Sequence, residues 1–490
     1  MTTIVQEHPV LSLETAEPST ATTMATLTAP VYIKTLNSAQ VDLQEVMEGE
    51  PRSLDSTTSQ STSQSTSESE SYSSSYSSHS ENESQSQAPT RAPSATSLAA
   101  STADVSVAST APSSVADETE YQEEKTVPEN PSPAPSTHTA LVINAERGYE
   151  LVADFESPTA LAPTEVRIRN KATGLNHIDW MSVAYNFCLP SLPWITGREM
   201  AGVVDAVGSD VEKVKVGDAV WTTTYYKDRR AGCFQELVVV PQHTVFPIPE
   251  TLDFHTAACL GVAGVTAAMT LWQWLNVPMR PKESPEATTT DEMTDAASGV
   301  STDTGVFLIW GGSTVTGQFA IQLAAHAGLQ VVAVCSEATA DLVRARGATH
   351  VVTYTGKTDM HVIGEILCCA AGRLTRAIDL VGARTAKLCL QVIAASGRTA
   401  ADPVDFAPLA FMSSKDVIPA NARVHTVEIK QFVLNDESGV VGERLNELVA
   451  SGAVLLPAVR VLEGGLAAVE QGLAMVKSGN LDGRKLVVSF

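Results

Sequence analysis

A turn rich in glycine and hydroxyl side chains lies between an apolar run and an amphipathic stretch. The turn consists of Gly311, Gly312, Ser313, Thr314, Val315, Thr316 and Gly317. The apolar run 305–310 predicts a buried strand, 318–327 a helix and 329–334 a second strand. A helix N-terminus behind such a turn attracts anions, and hydroxyls donate to phosphate oxygens. We interpret the turn as a dinucleotide pyrophosphate site. An ordinary crossover with a polar turn is the alternative, because the full G-x-G-x-x-G pattern is absent.

Charge and composition divide the 490 residues into two parts. Residues 1–135 contain 19 acidic and four basic side chains, and 15 of the 30 residues in 51–80 are serine. Such a segment has too little apolar surface to offset the entropy of ordering. We predict a long disordered N-terminal tail over 1–135, and a second acidic insertion at the surface over 279–304.

The net charge of −24 disfavours nucleic acid and anionic membranes as partners. We find no apolar run long enough to span a bilayer and no secretory or mitochondrial signal. The seven cysteines are odd in number and irregularly spaced, which is typical of reduced thiols. These features predict a cytoplasmic protein.

The part that follows the tail predicts an α/β protein. Short β-rich segments fill 136–260, and a mostly helical segment covers 254–275. Strands and helices then alternate over 261–420, which predicts a doubly wound parallel sheet. Residues 421–490 complete the two lobes. Within them we predict a strand over 424–434, whose part 424–429 is a candidate dimer edge, and a last strand that returns to the first lobe.

Three tracts resemble the medium-chain dehydrogenase/reductase superfamily. They are the glycine turn, the run Gly197-Arg198-Glu199-Met200-Ala201-Gly202 with Gly217-Asp218, and the tail Ser478-Gly479 through Gly483-Arg484-Lys485. The resemblance implies a GroES-like β-rich lobe and a Rossmann nucleotide-binding domain. The tail resembles fungal enoyl-reductase-like members, including the trans-acting enoyl reductases of polyketide synthesis. Quinone oxidoreductases share this branch.

The resemblance also identifies two positions that bind zinc in other members. Asn176 stands at the first ligand position, and Arg198 stands where a histidine is usual. A guanidinium cannot ligate a metal. His177 has no neighbouring ligand cluster, so we interpret it as a structural side chain. We predict no metal site.

The end of the second nucleotide strand indicates the cofactor. An acid that would bind the ribose of NAD is missing there, and Ser336 leaves room for a 2′-phosphate, so NADPH is favoured. Glu337 opposes that phosphate. Arg344 or Arg346 is a candidate to compensate, although we favour a place on a solvated helix face for both. The resemblance implies cofactor contacts at the glycine turn and at a further set: Ile178, Asp179, Trp180, Met181, Ser336, Glu337, Ala338, Thr339, Tyr354, Leu481 and Asp482.

The resemblance implies hydride transfer to the β-carbon of an enoyl or enone substrate. The substrate would border Leu260, Gly261, Val262, Ala263, Gly264, Val265 and Thr266. Tyr185 is a candidate proton donor, and water is the alternative. Met181 replaces a lysine of related enoyl reductases, which keeps two alternatives open: quinone reduction, and a non-catalytic nucleotide-binding protein whose tail recruits partners. The expected substrate is a small molecule or an acyl-carrier-bound chain. A synthase is the candidate partner, and either a monomer or a homodimer is compatible.

Overall fold

The computed structural model describes residues 135–225, 227–279, 305–479 and 481–490. The predicted tail and acidic insertion therefore lie outside the described residues, apart from Pro135 and Met279. The described strands, in chain order, are β1 (Thr137–Ile143), β2 (Tyr149–Glu156), β3 (Glu165–Gly174), β4 (Glu199–Val207), β5 (Ala219–Thr223), β6 (Leu237–Pro241), β7 (Val245–Pro247), β8 (Val306–Trp310), β9 (Gln330–Cys335), β10 (His350–Thr353), β11 (Leu374–Asp379), β12 (Val404–Pro408), β13 (Ala422–Val424), β14 (Val459–Leu462) and β15 (Lys485–Ser489).

Helices connect these strands and cover both faces of the second half of the fold. The described helices are α1 (His177–Tyr185), α2 (Phe254–Trp274), α3 (Val315–His326), α4 (Ala340–Ala345), α5 (Asp359–Ala370), α6 (Ala383–Ala394), α7 (Gln431–Leu434), α8 (Gly439–Ala450) and α9 (Val469–Ser478).

Six strands form a parallel sheet in the order β10-β9-β8-β11-β12-β13. In chain order this is 3-2-1-4-5-6, the arrangement of a doubly wound dinucleotide-binding fold. All five residues of β8 are buried, because helices lie on both faces. The sequence-based prediction of a Rossmann-like domain is confirmed. Since the strand order reverses beside β8, the glycine turn that follows β8 lies at the crevice of the sheet.

The remaining strands form the β-rich lobe. Six of them follow the order β14-β15-β3-β4-β5-β7, and β6 pairs with β3. The last strand β15 lies antiparallel to β3, with Val487 opposite Gly174. The expectation that the last strand returns to the first lobe is therefore confirmed. This return brings residues near position 485 next to the start of α1.

The helix α2 has an unusual internal geometry. It contains two π-helical turns, Leu260–Gly264 and Thr270–Trp274, on either side of the regular turn Val265–Met269. Its length and apolar composition would suffice to cross a membrane, which corrects our expectation that no run reaches that length. However, 72% of its most apolar window is buried inside the fold. We therefore interpret α2 as a core helix.

Two sequence-based predictions about the second half of the chain need correction. The strand predicted over 424–434 ends at Val424, and Gln431–Leu434 is helical. The edge that we expected over 424–429 is thus only the three residues of β13. We did not predict β2 or β12 from the sequence. The exposed residues of β2 lack clean alternation, and β12 directly follows Pro403 and ends at Pro408.

Candidate functional site

The turn after β8 has the geometry of a tight phosphate loop. Gly311 has a φ of 93°, and the amides of Gly311 and Gly312 both donate to the carbonyl of Val334. Thr314 caps α3, because its Oγ1 accepts from the Gly317 amide at 3.0 Å. A Cβ on Gly317 would lie 2.3 Å from the Gly311 oxygen. The close packing of the turn against the helix therefore depends on a glycine at position 317.

The start of α3 leaves donors available. Among the described residues, the backbone N–H groups of Ser313, Val315 and Thr316 have no acceptor. These amides lie at the positive end of a 12-residue helix, and the hydroxyls of Ser313 and Thr316 are beside them. The arrangement forms an anion-binding cradle that suits a pyrophosphate.

A cleft with a volume of about 290 Å³ runs between the cradle and the β-rich lobe. Of the residues predicted from the sequence, the cleft brings together Ser313, Thr314, Val315, Thr316, Leu481, Asp482 and Ala263. The β-rich side contributes Asn176, His177, Arg484 and Lys485. Cationic groups and amides therefore face each other across the cleft, which is the electrostatic setting for a phosphate-containing ligand.

The remaining predicted cofactor residues of the glycine turn and of α1 do not line the cleft. Gly311, Gly312 and Gly317 form its backbone, and α1 carries Ile178, Asp179, Trp180 and Met181 beyond the cleft lining. Tyr185 also lies outside that lining, with its ring centroid 5.9 Å from the centroid of Trp180. The hydroxyl of Tyr185 therefore does not line the cleft.

The predicted ribose-binding residues lie together at the end of β9. Ser336 and Thr339 share a hydrogen bond of 3.0 Å between their hydroxyls. Glu337 donates its backbone N–H to the Thr355 hydroxyl, and the side chain of Tyr354 is 48% exposed nearby in sequence. Ala338 completes the short 3-10 turn. The residue that directly follows β9 is Ser336, whose side chain carries a hydroxyl group and no carboxylate.

Neither arginine that we considered for this region is an unengaged cation. Arg344 forms an exposed ion pair with Asp341 at 2.7 Å. Arg346 donates to the side-chain oxygen of Gln318 at 3.2 Å and to the Leu456 carbonyl at 3.0 Å. Gln318 in turn donates to the carbonyl of Gly483 at 2.6 Å. Our interpretation of Arg346 as a solvated helix residue is wrong, because it links α3 to the C-terminal segment.

The most strongly perturbed carboxyl group of the site is Asp179. It is completely buried, and its Oδ2 accepts from the Asn176 backbone N–H at 2.9 Å as part of a capping box. Burial raises the pKa of Asp179 to about 7, although the charge of Arg198 acts in the opposite direction. Asp179 therefore supports the start of α1 from behind and does not contact the cleft directly.

A buried ion pair lies beside Asn176. Lys485 Nζ is 2.5 Å from Glu199 Oε1, and both side chains are almost completely buried. The same ammonium donates to Asn176 Oδ1 at 2.6 Å, and Asn176 Nδ2 donates to Glu199 at 2.8 Å. The side-chain oxygen of Asn176, at the first metal-ligand position, thus accepts a hydrogen bond from the Lys485 ammonium.

The donor set here does not fit a zinc ion. A zinc ion needs three or four Cys, His or carboxylate ligands. Within the described ranges no group of three His, Cys, Asp or Glu side chains is placed to hold a metal. Arg198, at the second ligand position, carries a positive charge. All seven cysteines are described, and all are free thiols.

Sequence reasoning missed the cleft-lining roles of His177 and Lys485. His177 Nδ1 accepts from the Trp180 indole at 3.3 Å, so the proton of the neutral ring lies on Nε2. Desolvation lowers the pKa of His177, and the nearby Lys485 charge lowers it further. The missed signal was the Arg484-Lys485 pair directly after a glycine, within a tract that the resemblance had already identified.

Fold and cleft together define a two-lobed oxidoreductase that binds a pyridine nucleotide. Two family models match this chain: the alcohol dehydrogenase GroES-like domain over residues 162–250, and the zinc-binding dehydrogenase domain over residues 316–425. The trans-enoyl reductase iccB of Talaromyces variabilis is 30% identical over 384 residues, covering 72% of this chain and 96% of that protein. The trans-enoyl reductase caaB of Aspergillus niger is 30% identical over 374 residues, covering 72% and 97%.

Solved structures show the same fold. The quinone oxidoreductase of Pseudomonas syringae pv. Tomato DC3000 aligns with a TM-score of 0.57 at 22% identity, covering 72% of this chain and 99% of that one. The CurK enoyl reductase aligns with a TM-score of 0.56 at 18% identity, with the same coverage. The chain belongs to the medium-chain dehydrogenase/reductase superfamily, in the branch that includes the trans-enoyl reductases.

Proposed function

We propose that this protein is a zinc-independent, NADPH-dependent reductase that transfers hydride to the activated C=C bond of an enoyl or enone substrate. The observation that carries the proposal is the cleft, in which an anion cradle faces Asn176. The buried Lys485–Glu199 ion pair holds the side chain of Asn176, which stands at a position that binds metal in zinc members of the superfamily. Because the Lys485 ammonium engages the Asn176 oxygen and Arg198 stands at the second ligand position, polarisation of an alcohol by a metal has no support. The names of the relatives favour C=C reduction.

NADPH is favoured over NADH by the residue at the end of β9. Ser336 presents a hydroxyl paired with Thr339, where a carboxylate would bind the ribose of NAD and repel a 2′-phosphate. The backbone N–H groups of Ser313, Val315 and Thr316 would hold the pyrophosphate, with His177, Arg484 and Lys485 across the cleft. Bound NADPH would supply the hydride.

The chain supplies orientation and charge for the reaction. Hydride addition to the β-carbon leaves negative charge on the substrate carbonyl oxygen, and fixed positive charge near the cleft stabilises it. The π-helical turn Leu260–Gly264 would border the substrate, because Ala263 lines the cleft. Protonation at the α-carbon completes the reduction. We propose water as the proton source. Tyr185 is the candidate side-chain donor, so the test includes a variant at this position.

The proposal assigns 136–260 to the catalytic lobe, 261–420 to the NADP-binding domain and 421–490 to a segment that completes both. The helix α2 runs through the boundary at 260/261 and packs in a core to which both lobes contribute. We propose that the substrate is a small molecule or an acyl-carrier-bound chain delivered by a synthase; the names of the relatives support an enoyl group. The buried α2 and the seven free thiols support a cytoplasmic location.

The test is a titration of the full chain with NADPH and NADH, followed by nicotinamide fluorescence, and then turnover with a panel of enones and quinones. We expect NADPH to bind more tightly and to be oxidised by enones. Turnover of quinones alone would replace the proposal by quinone reduction. Tight binding without turnover of any acceptor would favour a non-catalytic nucleotide-binding protein. A parallel Tyr185→Phe variant with unchanged turnover would assign protonation to water.

A further inference from the structure

The carboxylate of Glu199 lies where several distant segments of the described fold meet. Glu199 is the first residue of β4 and is completely buried. Its Oε1 accepts from Asn176 at 2.8 Å and pairs with Lys485 at 2.5 Å. Its Oε2 accepts from the backbone N–H of Val262 at 2.6 Å. One carboxylate therefore connects the start of α1, the last strand and the helix α2.

The contact with Val262 has a specific structural reason. Val262 lies in the first π-helical turn, where the widened helix removes the regular acceptors of some amides. The acceptor that the described structure gives to this amide is the Glu199 carboxylate. The neighbouring Ala263 lines the cleft. The position of this cleft wall thus depends on a side chain from another lobe.

Two glycines leave the space that Glu199 fills. A Cβ on Gly174 would lie 2.5 Å from Glu199 Oε1, and a Cβ on Gly261 would lie 2.7 Å from the Glu199 Cβ. Both glycines have negative φ, because they are absent from the positive-φ residues of the chain. Close approach to Glu199 therefore favours glycine at both positions, together with the backbone carbonyl of Ala258 at Gly174 and that of Thr222 at Gly261.

We propose that Glu199 is a positioning residue for the reduction, which holds two parts of the cleft wall at a fixed separation. One part is Asn176 with Lys485, and the other is the turn that contains Val262 and Ala263. The inference rests on the proposed function for its catalytic part. Glu199 itself does not line the cleft, so it acts through the residues that it holds.

The direct test is Glu199→Gln in the full chain. A glutamine has one acceptor oxygen, so either the Val262 amide or the Lys485–Asn176 side faces an NH₂ group. We expect kcat/KM for an enone to fall at least tenfold, while the Kd for NADPH changes less than threefold because the α3 cradle is untouched. The matched control is Asp205→Asn on the same strand, which breaks the pairs with Arg167 and Arg169 away from the cleft. Unchanged kcat/KM in Glu199→Gln, or an equal loss in Asp205→Asn, would overturn the inference.

Amide hydrogen exchange provides a readout that does not need turnover. We expect faster exchange at Val262 in Glu199→Gln and no change there in Asp205→Asn. Parent-like protection at Val262 would reject the positioning role even if the parent enzyme reduces enones. Conversely, faster exchange in a protein that reduces no enone would reject the proposed function alone. If the single variant fails to fold, Glu199→Gln with Lys485→Met removes the unpaired buried ammonium, and the same exchange measurement decides.

Discussion

At the scale of single residues, we propose that Ser336 determines which nucleotide the site accepts. Replacement by aspartate would place a negative charge where the 2′-phosphate of NADPH is expected. Two like charges about 5 Å apart near a protein surface repel by roughly 3 kcal/mol. We therefore expect Ser336→Asp to raise the Kd for NADPH at least tenfold and to change the Kd for NADH less than threefold.

Fluorescence titration with both nucleotides measures this change. The control is Ser336→Asn, which adds similar bulk without charge. If asparagine and aspartate weaken NADPH equally, steric exclusion explains the loss, and the 2′-phosphate lies elsewhere.

The buried carboxyl of Asp179 makes stability depend on pH. Its pKa is about 7 in the folded protein against an ordinary value of 3.8, so between these values the folded state binds a proton that the unfolded chain has released. The stability contributed by this group therefore falls as the pH rises from 4 to 7. Asp179→Asn removes the titration and keeps an acceptor for the Asn176 amide. We expect the variant to become more stable relative to the parent by roughly 3 kcal/mol between pH 5 and pH 8.

Urea unfolding of both proteins at the two pH values tests this expectation. A constant difference between variant and parent across the pH range would mean that Asp179 is ionised throughout.

Residue chemistry was only partly predictable from the sequence. Ser313 and Thr316 were identified, because hydroxyl side chains in a glycine turn after a buried strand can donate to phosphate oxygens. The contact between Asn176 and Lys485 joins residues 309 positions apart, and neither residue signals the other in the sequence. Asp179 was expected at the cofactor because of its position in a motif. Its burial depends on the packing of α1, which no local pattern reveals.

At the scale of elements, the connection from β8 to α3 depends on Gly317. A methyl group there would collide with the Gly311 carbonyl at 2.3 Å, and a backbone atom cannot give way as a flexible side chain can. We expect Gly317→Ala to raise the Kd for NADPH at least tenfold and to destabilise the fold by about 1–3 kcal/mol.

Gly364 in α5 offers a matched control. It is exposed, and a Cβ there would meet nothing within 4 Å. Gly364→Ala should leave nucleotide affinity unchanged and add about 1 kcal/mol of stability, because alanine favours the helix. Equal behaviour of the two variants in titration and thermal unfolding would contradict a steric role for Gly317.

Strands that are buried on both faces were predicted correctly, whereas the edge strand was not. The strands β8 and β9 are buried on both faces and read as continuous apolar runs. The strand predicted over 424–434 instead mixes apolar and polar residues. The observed β13 is an edge strand that pairs over three residues, and the chain then turns toward α7. The π-helical turns of α2 could not be predicted, because the Val262 amide finds its acceptor on a different strand.

At the scale of the whole molecule, the cleft joins residues from both lobes, so a bound nucleotide should stabilise them together. At a concentration of 100 times Kd, a ligand that binds only the folded state adds about 2.7 kcal/mol. We expect NADPH to shift a single thermal transition upward in the parent and to leave the transition of Gly317→Ala nearly unchanged. Calorimetry tests this expectation. Two separate transitions, of which only one responds to NADPH, would show that the lobes unfold independently.

The return of β15 to the β-rich lobe also has a consequence for synthesis on the ribosome. This strand lies between β14 and β3, and it carries Lys485 to the buried Glu199. Because the chain emerges from its N-terminus, β3 and β4 exist long before their neighbour does. The nascent protein therefore carries an open sheet edge and an unneutralised carboxylate until almost every other described element has been made. A ribosome that stops before residue 485 would release a chain whose nucleotide sheet is complete but whose cleft lacks one wall.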